Sequence, residues 1–465
     1  MREETPYIDF QDTFWSLQQA DRDPYCVFKA PNARSVSVAI LVSRATGCPF
    51  AAKSGGHAAF EDASNIQDGI TISLENLNDI SLSNDRSTVT IGPGNNWHRV
   101  YSHLAEYGLA TIGGRVASIG VGGLTTGGGI SFFSNKYGWA CDNVASYDVA
   151  IASGAQVIAS PDSNMELYWA LRGGGNNFGI VLSFTMYTIP MPGNKMWTSA
   201  RNYDWSSFPL VARAFYNSVV ESPSDPDAGL WVAWSQSNQT PIASANLWDT
   251  RPKSNISILF DHFTAISTMS EVTRNVTLVE YTAEMDDFNP TGFRETYYGL
   301  TVKADPELAD VARQIFYEEL PMTESVQGAF PVMVYQGITA GQMSSMAKRG
   351  GNPLGLNDLD GPLFLFHIAC WWELQSDDDV IYTFASKVLQ RIKGEAERRG
   401  KASRFLYMNY SSKFEDVIAS YGEENKKRLK DVATKYDPRR IFQELQPGYF
   451  KLDRSPQRDH GYFSG

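Results

Sequence analysis

The spacing of apolar residues along the chain changes near residue 195. Before this point, short apolar runs alternate with stretches whose apolar residues recur every three or four positions, which predicts strands and helices in turn. After it, longer stretches alternate between apolar and polar residues, with helical stretches between them. Such a pattern is typical of an antiparallel sheet with helices packed on it. The sequence therefore predicts an α+β fold.

The predicted elements follow from this spacing and from the turn residues that bound it. In the first part, helices are predicted over 10–20, 35–46, 97–107 and 165–171, and strands over 49–53, 69–74, 88–91, 144–152, 156–159 and 180–189. In the second part, strands are predicted over 228–236, 240–247, 257–259 and 363–374, and helices over 306–320, 378–399 and 423–436. A turn over 441–445 leads to a polar tail after Leu452, which we expect to lack order.

Composition and charge exclude several classes of protein. The chain has 465 residues, with 40 Lys and Arg against 52 Asp and Glu, so its net charge is −12. This acidic balance argues against nucleic acid or an anionic membrane as a partner, because both require a basic surface. No run of about 20 apolar residues occurs, so no transmembrane helix is expected. Aromatic residues make up 12% of the chain, enough to line a large pocket for a planar or apolar small molecule.

The cysteines do not form a metal-binding or disulfide framework. There are four, at Cys26, Cys48, Cys141 and Cys370, and none belongs to a C-x-x-C pair, which disfavours a zinc site. Cys26 and Cys48 flank one short segment. They either form a disulfide bond in a secreted protein or are two ordinary thiols. No metal site is predicted.

Glycosylation sequons slightly favour a secretory route and a glycoprotein. They occur at Asn238, Asn255, Asn275 and Asn409. The polar, acidic stretch that follows Met1 does not have the pattern of a signal peptide. An intracellular location therefore stays open beside secretion.

Three glycine-dense loops lie within the first 180 residues, at 54–57, 113–129 and 172–179. Glycine costs conformational entropy, so clusters of it need a reason, and successive main-chain amides that bind phosphate oxygens supply one. Neither a G-x-x-x-x-G-K-[ST] motif nor a G-x-G-x-x-G motif between strand and helix is present, which disfavours P-loop and Rossmann domains. The clusters therefore indicate recognition of a diphosphate by main-chain amides. The alternative is a turn-rich β structure that binds no ligand.

His57 directly follows Gly55 and Gly56. A single histidine is usually a structural or an exposed residue. Here the two glycines allow the main chain to lie against a ligand, which places the imidazole at the edge of that ligand. Neutral imidazole is a nucleophile that bonds covalently to electrophilic carbon. His57 is therefore a candidate for covalent attachment of a ligand.

Several motifs in a fixed order resemble a known flavoprotein family. They are Lys53-Ser54-Gly55-Gly56-His57, Gly120-Val121-Gly122-Gly123, Gly127-Gly128-Gly129, Tyr137-Gly138, Asp142-Asn143-Val144, the stretch GGGNNFGIV over 173–181, Tyr407-Met408-Asn409-Tyr410, and Asp437-Pro438 with Phe442 and Gln446. Together they resemble the berberine-bridge-enzyme-like FAD-linked oxidases, which have the vanillyl-alcohol-oxidase fold and a PCMH-type FAD-binding domain. The resemblance covers nearly the whole chain and is closest to the fungal members.

The resemblance implies an FAD-binding domain of two subdomains over 1–195 with 408–465, and a substrate-binding domain with an antiparallel sheet and flanking helices over 196–407. It also implies a covalent bond from His57 to the C8-methyl carbon of the flavin. The other residues that it implies for the cofactor are Ser54, Gly55, Gly56 and Ala58 at the diphosphate, Ser118, Gly120, Val121, Gly122 and Gly123 beside the diphosphate and flavin, Gly179, Ile180 and Val181 at the nucleotide end, and Gly128, Val144 and Asn409 as further contacts.

One departure from the family pattern concerns a second covalent link. Many members attach the flavin also through a cysteine shortly before the G-V-G-G run, and Val116 stands at the matching position here. None of the four cysteines has the required spacing. We therefore predict a single covalent link through His57, and we expect a lower flavin potential and a less open substrate side than in doubly linked relatives.

The substrate side needs a base, because hydride transfer to a flavin leaves a proton to be removed from the substrate. In the predicted strand 363–374, His367, Trp371 and Glu373 share one face, and this more polar face is the better candidate for the pocket. His367 and Glu373 are candidate bases, and Tyr407 and Tyr410 are alternatives. Equally, Glu373 could lie at an exposed strand end, and the two tyrosines could serve packing alone.

The leading hypothesis is an FAD-dependent oxidase. It takes a hydride from an alcohol, an amine or an activated C–H of a small molecule of secondary metabolism, and molecular oxygen reoxidises it to give hydrogen peroxide. A carbohydrate oxidase stays open, because aromatic platforms also bind sugars. A non-redox cyclase or isomerase on the same scaffold is the alternative from another class. A pure binding protein would leave His57 without a purpose.

Overall fold

The structure is a computed structural model that describes residues 5–252, 257–357 and 361–457. Within these ranges the strands form three sheets. The first is parallel, has the order β1-β3-β2, and consists of β1 (Cys26–Lys29), β2 (Phe50–Lys53) and β3 (Ile70–Ser73). The second is antiparallel, has the order β4-β5-β9-β7-β8 with β6 paired to β9, and consists of β4 (Ile80–Leu82), β5 (Thr88–Ile91), β6 (Leu109–Thr111), β7 (Val144–Ala150), β8 (Gln156–Ala159) and β9 (Ile180–Pro190).

The third sheet is antiparallel and has seven strands in the order β13-β10-β12-β11-β15-β16-β14. Its strands are β10 (Lys195–Tyr203), β11 (Ala228–Ser237), β12 (Thr240–Asp249), β13 (Ser270–Thr277), β14 (Arg294–Lys303), β15 (Phe330–Ile338) and β16 (Leu363–Trp372). All of them follow the change of pattern near residue 195. Together with the helices between the strands, this sheet confirms the predicted α+β class.

The helices differ widely in length. They are α1 (Thr5–Gln11), α2 (Leu17–Ala20), α3 (Ala33–Thr46), α4 (Trp97–Ala105), α5 (Val121–Thr126), α6 (Ser134–Tyr137), α7 (Met165–Leu171), α8 (Phe208–Glu221), α9 (Asp261–Thr264), α10 (Leu278–Glu284), α11 (Pro306–Glu319), α12 (Ala340–Met346), α13 (Asp378–Arg398), α14 (Val417–Ser420), α15 (Glu423–Tyr436) and α16 (Ile441–Glu444). Local signals set several ends. The Asn32 side chain accepts a hydrogen bond from the Ser35 amide at the start of α3, and Gly47, with φ 69°, ends it.

The third sheet has two chemically different faces because side chains alternate along each strand. On β16, Phe366, Ile368, Cys370 and Trp372 are buried in a core shared with α8, α11 and α13. The intervening residues His367, Ala369 and Trp371 line a cavity on the other face. The face predicted for the pocket on this strand is therefore confirmed for His367 and Trp371.

The carboxy-terminal helix α16 packs against the first sheet. Ile441 and Phe442 of α16 are buried with Phe50 and Ile72 in one core. The Phe50 amide donates to the Leu445 carbonyl at 2.7 Å. These contacts agree in kind with an FAD-binding unit completed by the carboxy-terminal segment, but the predicted boundaries at 195 and 408 stay a prediction.

Two predicted elements are wrong, and several strands were missed. The predicted helix 10–20 is broken between α1 and α2, because the Trp15 amide donates to the Gly56 carbonyl instead of continuing the helix. The predicted strand 257–259 is part of a 3₁₀ turn over Ile258–Phe260, where the Leu259 carbonyl accepts a hydrogen bond from the Ser218 hydroxyl. The strands without a prediction are β1, β4, β6, β10, β13, β14 and β15.

The structure bears on three further sequence features. All four cysteines are free thiols. Asn238 lies in an exposed hairpin turn with φ 47°, whereas the sequon at Asn255 and most of the tail after Leu452 lie outside the described residues. Among the described helices, none has the length and apolar composition needed to cross a membrane.

Candidate active site

A cavity of about 870 Å³ lies between the glycine-rich loops and the helix-free face of the third sheet. Most of the predicted site residues line it, although they come from distant parts of the sequence. They are Ser54, Gly55, Gly56, His57, Ala58, Gly120, Gly122, Gly123, Gly179, Ile180, Val181, His367, Tyr407, Asn409 and Tyr410. The fold therefore brings the two groups of candidates, for cofactor and for catalysis, to one place.

Two glycine loops touch each other main chain to main chain at one wall of the cavity. A Cβ atom added to Gly55 would lie 2.5 Å from the amide nitrogen of Gly120, and one added to Gly120 would lie 2.4 Å from that of Gly55. Ser54 fastens the contact, since its hydroxyl donates to the Pro93 carbonyl at 2.5 Å and accepts from the Gly122 amide at 3.1 Å. Glycine is required at 55 and 120 because any side chain would separate the loops.

The main chain around His57 is oriented by its carbonyl groups. The Gly56 carbonyl accepts a hydrogen bond from the Trp15 amide at 3.1 Å, and the Ala58 carbonyl accepts one from the Ser16 hydroxyl at 2.8 Å. Both point away from the cavity, towards the amino-terminal segment. Within the described residues, the amides of 55–58 donate no hydrogen bond. A row of unused amides at a cavity wall is a site for an anion such as a diphosphate.

The imidazole of His57 lines the cavity and stacks on the indole of Trp15, with 4.2 Å between the ring centroids and 12° between the planes. Burial lowers the pKa of His57 to about 4, although its own main-chain carbonyl opposes the shift. The Nε2 atom has no hydrogen-bond partner among the described residues. The ring is therefore neutral at physiological pH and keeps the lone pair that nucleophilic attack requires.

Tyr407 and Asn409 join the carboxy-terminal part to the glycine-rich loop. The Tyr407 oxygen accepts hydrogen bonds from the Gly129 and Ile130 amides, at 3.1 and 3.0 Å, and from Asn409 Nδ2, at 3.0 Å. Burial raises the pKa of Tyr407 above its ordinary value. Asn409 Nδ2 also donates to the Leu124 carbonyl at 3.1 Å. The oxygen of Tyr407 and the amide of Asn409 are thus engaged within the protein.

A second polar cluster lies on the substrate side of the cavity, around Tyr410. One guanidinium nitrogen of Arg115 donates to the Tyr410 oxygen at 2.8 Å and to Gln336 Oε1 at 2.6 Å. All three residues line the cavity. Among the described residues no carboxylate pairs with Arg115. The guanidinium of Arg115 therefore holds the Tyr410 oxygen and the Gln336 side chain together at one place on the cavity wall.

His367 stacks on Tyr410, with 4.3 Å between the centroids and 21° between the planes. It is 5% exposed, and burial lowers its pKa to about 3, helped by the charge of Arg115. Its Nδ1 atom has no partner among the described residues. His367 is therefore neutral and holds a proton too weakly to act as an efficient base near pH 7.

These features fit FAD. The unused amides of 55–58 suit a diphosphate, and Gly123 presents an open face on which an added Cβ would meet no protein atom within 4 Å. A neutral histidine lies on the same wall, and the cavity is large enough for a ligand beyond drug size.

Comparisons with known proteins agree with the geometry. The family described as FAD binding domain matches residues 24–160, and the family described as Berberine and berberine like matches residues 406–447. The FAD-dependent monooxygenase tpcD of Cochliobolus heterostrophus is 34% identical over 454 residues, which are 95% of this chain and 87% of the relative. The chain belongs to the berberine bridge enzyme-like family of FAD-linked oxidases.

Two further comparisons extend this assignment. The Bifunctional solanapyrone synthase of Alternaria solani is 29% identical over 437 residues, which are 93% of this chain and 82% of the relative. The solved structure of 6-hydroxy-D-nicotine oxidase from Arthrobacter nicotinovorans matches with a TM-score of 0.79 at 20% identity, over 95% of each chain, and shows the shared fold. The berberine bridge enzyme-like protein described here is a flavin oxidoreductase that uses FAD.

Five predicted site residues do not line the cavity. Val121 and Val144 are fully buried, and their side chains belong to the core beside it. Gly128 has φ 115°, and an added Cβ would lie 2.8 Å from the ring of Trp139, so this glycine serves close packing. The structure thus gives these three a supporting position behind the cavity wall.

The other two point elsewhere. Ser118 is exposed, and its amide and hydroxyl donate to Asp286 Oδ1 at 3.1 and 2.7 Å. Glu373 follows the last residue of β16, is exposed, and accepts a hydrogen bond from the Gln327 side chain. The alternation of side chains that favoured Glu373 ends where the strand ends, so the structure does not bring this carboxylate to the cavity.

Sequence reasoning missed several residues of the site. Arg115 lies in the glycine-rich segment directly before Val116, and an arginine among glycines in a ligand loop is a signal that could have found it. Tyr297 lies on β14, a strand without a prediction. It stacks on Trp15 at a centroid distance of 5.5 Å and contacts the Tyr410 ring at 5.6 Å with a tilt of 45°. Gln336 and Trp15 carry no local signal, since only the fold brings Gln336 to the cavity and Trp15 against the ring of His57.

Proposed function

We propose that this protein binds FAD covalently through His57 and oxidises an apolar small molecule of secondary metabolism by removal of a hydride, with molecular oxygen as the final electron acceptor and hydrogen peroxide as the second product. The observation that carries the proposal is the single cavity that joins the His57 loop to the Arg115–Tyr410 pair. One wall supplies attachment for a cofactor, and the other supplies a proton acceptor.

Two observations support covalent attachment through His57 alone: the reactivity of His57 itself, and the lack of a cysteine on the cavity wall. The low pKa of His57 keeps its ring neutral and nucleophilic. Val116 lines the same cavity, so the position at which a second, cysteinyl link would arise holds an aliphatic side chain. The four cysteines offer no replacement, because none of them lines the cavity.

We assign proton removal to Tyr410. Bound flavin supplies the hydride acceptor, so the substrate must give up a proton from the oxygen or nitrogen beside the reacting carbon. The Tyr410 oxygen takes this proton, and the guanidinium of Arg115 donates a hydrogen bond to that oxygen at 2.8 Å and orients it. Gln336 accepts from the same guanidinium nitrogen and so fixes its direction.

The other candidate bases are less suited to this step. His367 has a pKa near 3 and binds a proton poorly at neutral pH. The Tyr407 oxygen already accepts three hydrogen bonds from the protein. Glu373 is outside the cavity. His367 instead packs against the Tyr410 ring and keeps it in place.

The substrate wall favours an apolar, partly planar molecule. Phe330 and Trp371 stack on each other at 4.8 Å and line the cavity beside Tyr297 and Trp231. The polar groups that the third sheet contributes to this wall are mainly serines and asparagines, among them Asn202, Ser244 and Asn246. Broad aromatic faces with short polar side chains among them suit a planar, largely apolar substrate that carries a few polar substituents.

The attachment is tested by the fate of the flavin on denaturation. Acid-precipitated, washed protein should stay yellow, and mass spectrometry of the peptide that contains His57 should show the mass of FAD. His57→Ala should release the flavin, whereas His98→Ala, which changes an exposed histidine of α4, should retain it. Colourless wild-type precipitate would refute the covalent link while leaving FAD binding intact.

The reaction is tested with a panel of phenols, allylic alcohols and cyclic amines. A true substrate should bleach the flavin without oxygen and yield peroxide with oxygen, and Tyr410→Phe should lower kcat by about 10²- to 10⁴-fold. Incorporation of ¹⁸O from labelled oxygen into the product would instead support a monooxygenase, as the relative from Cochliobolus heterostrophus is named. Product formed without bleaching or oxygen use would support a non-redox cyclase or isomerase.

A further inference from the structure

The amino-terminal segment Trp15–Gln19 lies against the back of the His57 loop and holds its main chain. Beside the Trp15 and Ser16 hydrogen bonds to the Gly56 and Ala58 carbonyls, Gln19 Nε2 donates to the Ala58 carbonyl at 2.9 Å. Ser16 and Gln19 are fully buried. The two carbonyls that flank His57 are therefore both tied to one short segment, which is neither a helix nor a strand at Trp15.

The segment Trp15–Gln19 is itself held in place by two sets of hydrogen bonds. Gln19 Oε1 accepts from the Ser64 amide at 2.8 Å and from its hydroxyl at 2.7 Å, which sets the orientation of the Gln19 side-chain amide. The Leu17 amide donates to the Phe293 carbonyl at 2.8 Å, next to β14. The segment thus spans from the glycine-rich loop to the third sheet, and it has little freedom to rotate.

Trp15 controls the ring of His57 as well as its main chain. The indole stacks on the imidazole, with 4.2 Å between centroids and 12° between planes, and it also stacks on the ring of Tyr297 at 5.5 Å and 18°. Only 6% of the Trp15 surface is exposed, so the indole has little room to move. A tilt of the imidazole would break its stacking contact with the indole. We therefore expect the ring to keep its orientation towards the cavity.

We propose that Trp15 is a positioning residue for covalent attachment of FAD, holding the His57 imidazole in the orientation in which a ring nitrogen meets the 8-methyl carbon of the flavin. This inference rests on the covalent link under the proposed function. Trp15 itself does not line the cavity, so it would act on the attachment through His57.

The attachment balances as an oxidation by molecular oxygen. A bond forms between the imidazole nitrogen and the methyl carbon, and one C–H bond of the methyl group and the N–H bond of the ring break. The two protons leave, and the electron pair passes through the flavin to oxygen, so that one hydrogen peroxide forms for each link. Trp15 takes no part in the electron flow and acts on the encounter geometry alone, where a displacement of about 1 Å costs up to about a hundredfold in rate.

The test compares Trp15→Phe, which keeps an aromatic face, with Trp15→Leu, which removes it, in the full-length protein. Flavin-free protein is mixed with FAD in air, and the covalent fraction is followed by acid precipitation and intact mass, while non-covalent FAD binding is measured in parallel. Trp205→Leu is the matched control, because Trp205 is 53% exposed and does not line the cavity.

We expect Trp15→Leu to slow covalent attachment about ten- to a hundredfold, with FAD binding unchanged, and Trp15→Phe to restore most of the rate. Attachment at the wild-type rate in Trp15→Leu would overturn the proposal, and so would a parallel loss of FAD binding and attachment, which indicates a merely structural role. Should Trp15→Leu fail to fold, Trp15→Met replaces it as a flexible apolar side chain. Wild-type protein without covalently bound FAD would refute the proposed covalent attachment itself. This outcome differs from failure of the Trp15 proposal alone, in which FAD is attached at the same rate with or without the Trp15 side chain.

Discussion

Replacement of Gly123 by alanine should separate cofactor binding from folding stability. Gly123 is the third residue of α5, is exposed to the cavity, and an added Cβ would meet no protein atom within 4 Å. The methyl group therefore disturbs nothing in the protein itself. It extends into the space that the diphosphate of FAD requires if the glycine-rich wall binds the cofactor.

The two effects have opposite signs. Alanine in place of glycine within a helix stabilises the fold by about 0.5–1 kcal/mol, so the unfolding free energy of flavin-free Gly123→Ala should be equal to or above that of its parent. Forcing one methyl group into an occupied contact costs about 1–3 kcal/mol, which weakens FAD binding by about five- to 150-fold.

The assay uses His57→Ala protein as the parent, because binding must be reversible for a dissociation constant to be measured. FAD is titrated and its fluorescence followed, and urea unfolding of the flavin-free protein gives the stability. Gly394→Ala is the matched control. Gly394 also lies within a helix, α13, also has no atom within 4 Å of an added Cβ, and does not line the cavity.

Gly394→Ala should therefore show the gain in stability without a loss of affinity. Unchanged affinity in Gly123→Ala would refute the placement of the diphosphate against α5. A clear loss of stability in the flavin-free Gly123→Ala protein would refute the open surroundings of this residue. Only weaker FAD binding at undiminished stability agrees with the geometry.

Three further changes have expected outcomes. Arg172→Met should destabilise the fold by about 3–5 kcal/mol in urea unfolding, because it leaves the fully buried Asp142 carboxylate without its partner at 2.9 Å; Arg172→Lys, which keeps the charge, should recover part of this loss. Burial raises the pKa of Glu295 from 4.5 to about 10, so the folded protein holds a proton that the unfolded chain releases between these values. The stability that Glu295 contributes should be fully present below about pH 4.5 and be lost as pH rises towards 10, at up to about 1.4 kcal/mol per pH unit, so the free energy of unfolding should fall less steeply with pH in Glu295→Gln than in the wild type. Val116→Cys places a thiol at the cavity wall, so peptide mass spectrometry should find FAD bonded to both His57 and the new cysteine; a thiol that stays reactive towards maleimide in the flavin-loaded protein would contradict this expectation.

The sequence alone predicted those features that depend on residues close together in the chain. The glycine loops predicted a diphosphate wall, and the structure places Gly55 and Gly120 in direct main-chain contact with a row of unused amides beside them. Alternation along 363–374 predicted the pocket face of β16 correctly, as far as the strand extends. Such features depend on residues that are neighbours in sequence, or on side-chain periods that the backbone imposes.

The failures have one cause, which is competition from distant partners. The break between α1 and α2 arises because the Trp15 amide donates a hydrogen bond to the Gly56 carbonyl, and no residue within 10–20 indicates this distant partner. Glu373 was favoured by alternation, but β16 ends at Trp372 and the carboxylate turns to Gln327.

The residues and motifs of the chain alone determined its α+β class and its membership of the berberine bridge enzyme-like family, because these depend on short motifs and on periodic patterns. The same motifs predict His57 as the histidine that holds the flavin. Only the tertiary structure decided which groups share the cavity with that histidine. Arg115 meets Tyr410 across almost 300 positions of chain, and Trp15 meets both His57 and Tyr297. These contacts depend on the packing of whole sheets and loops, in which each contact is stabilised by the others. No local stretch of sequence contains that information.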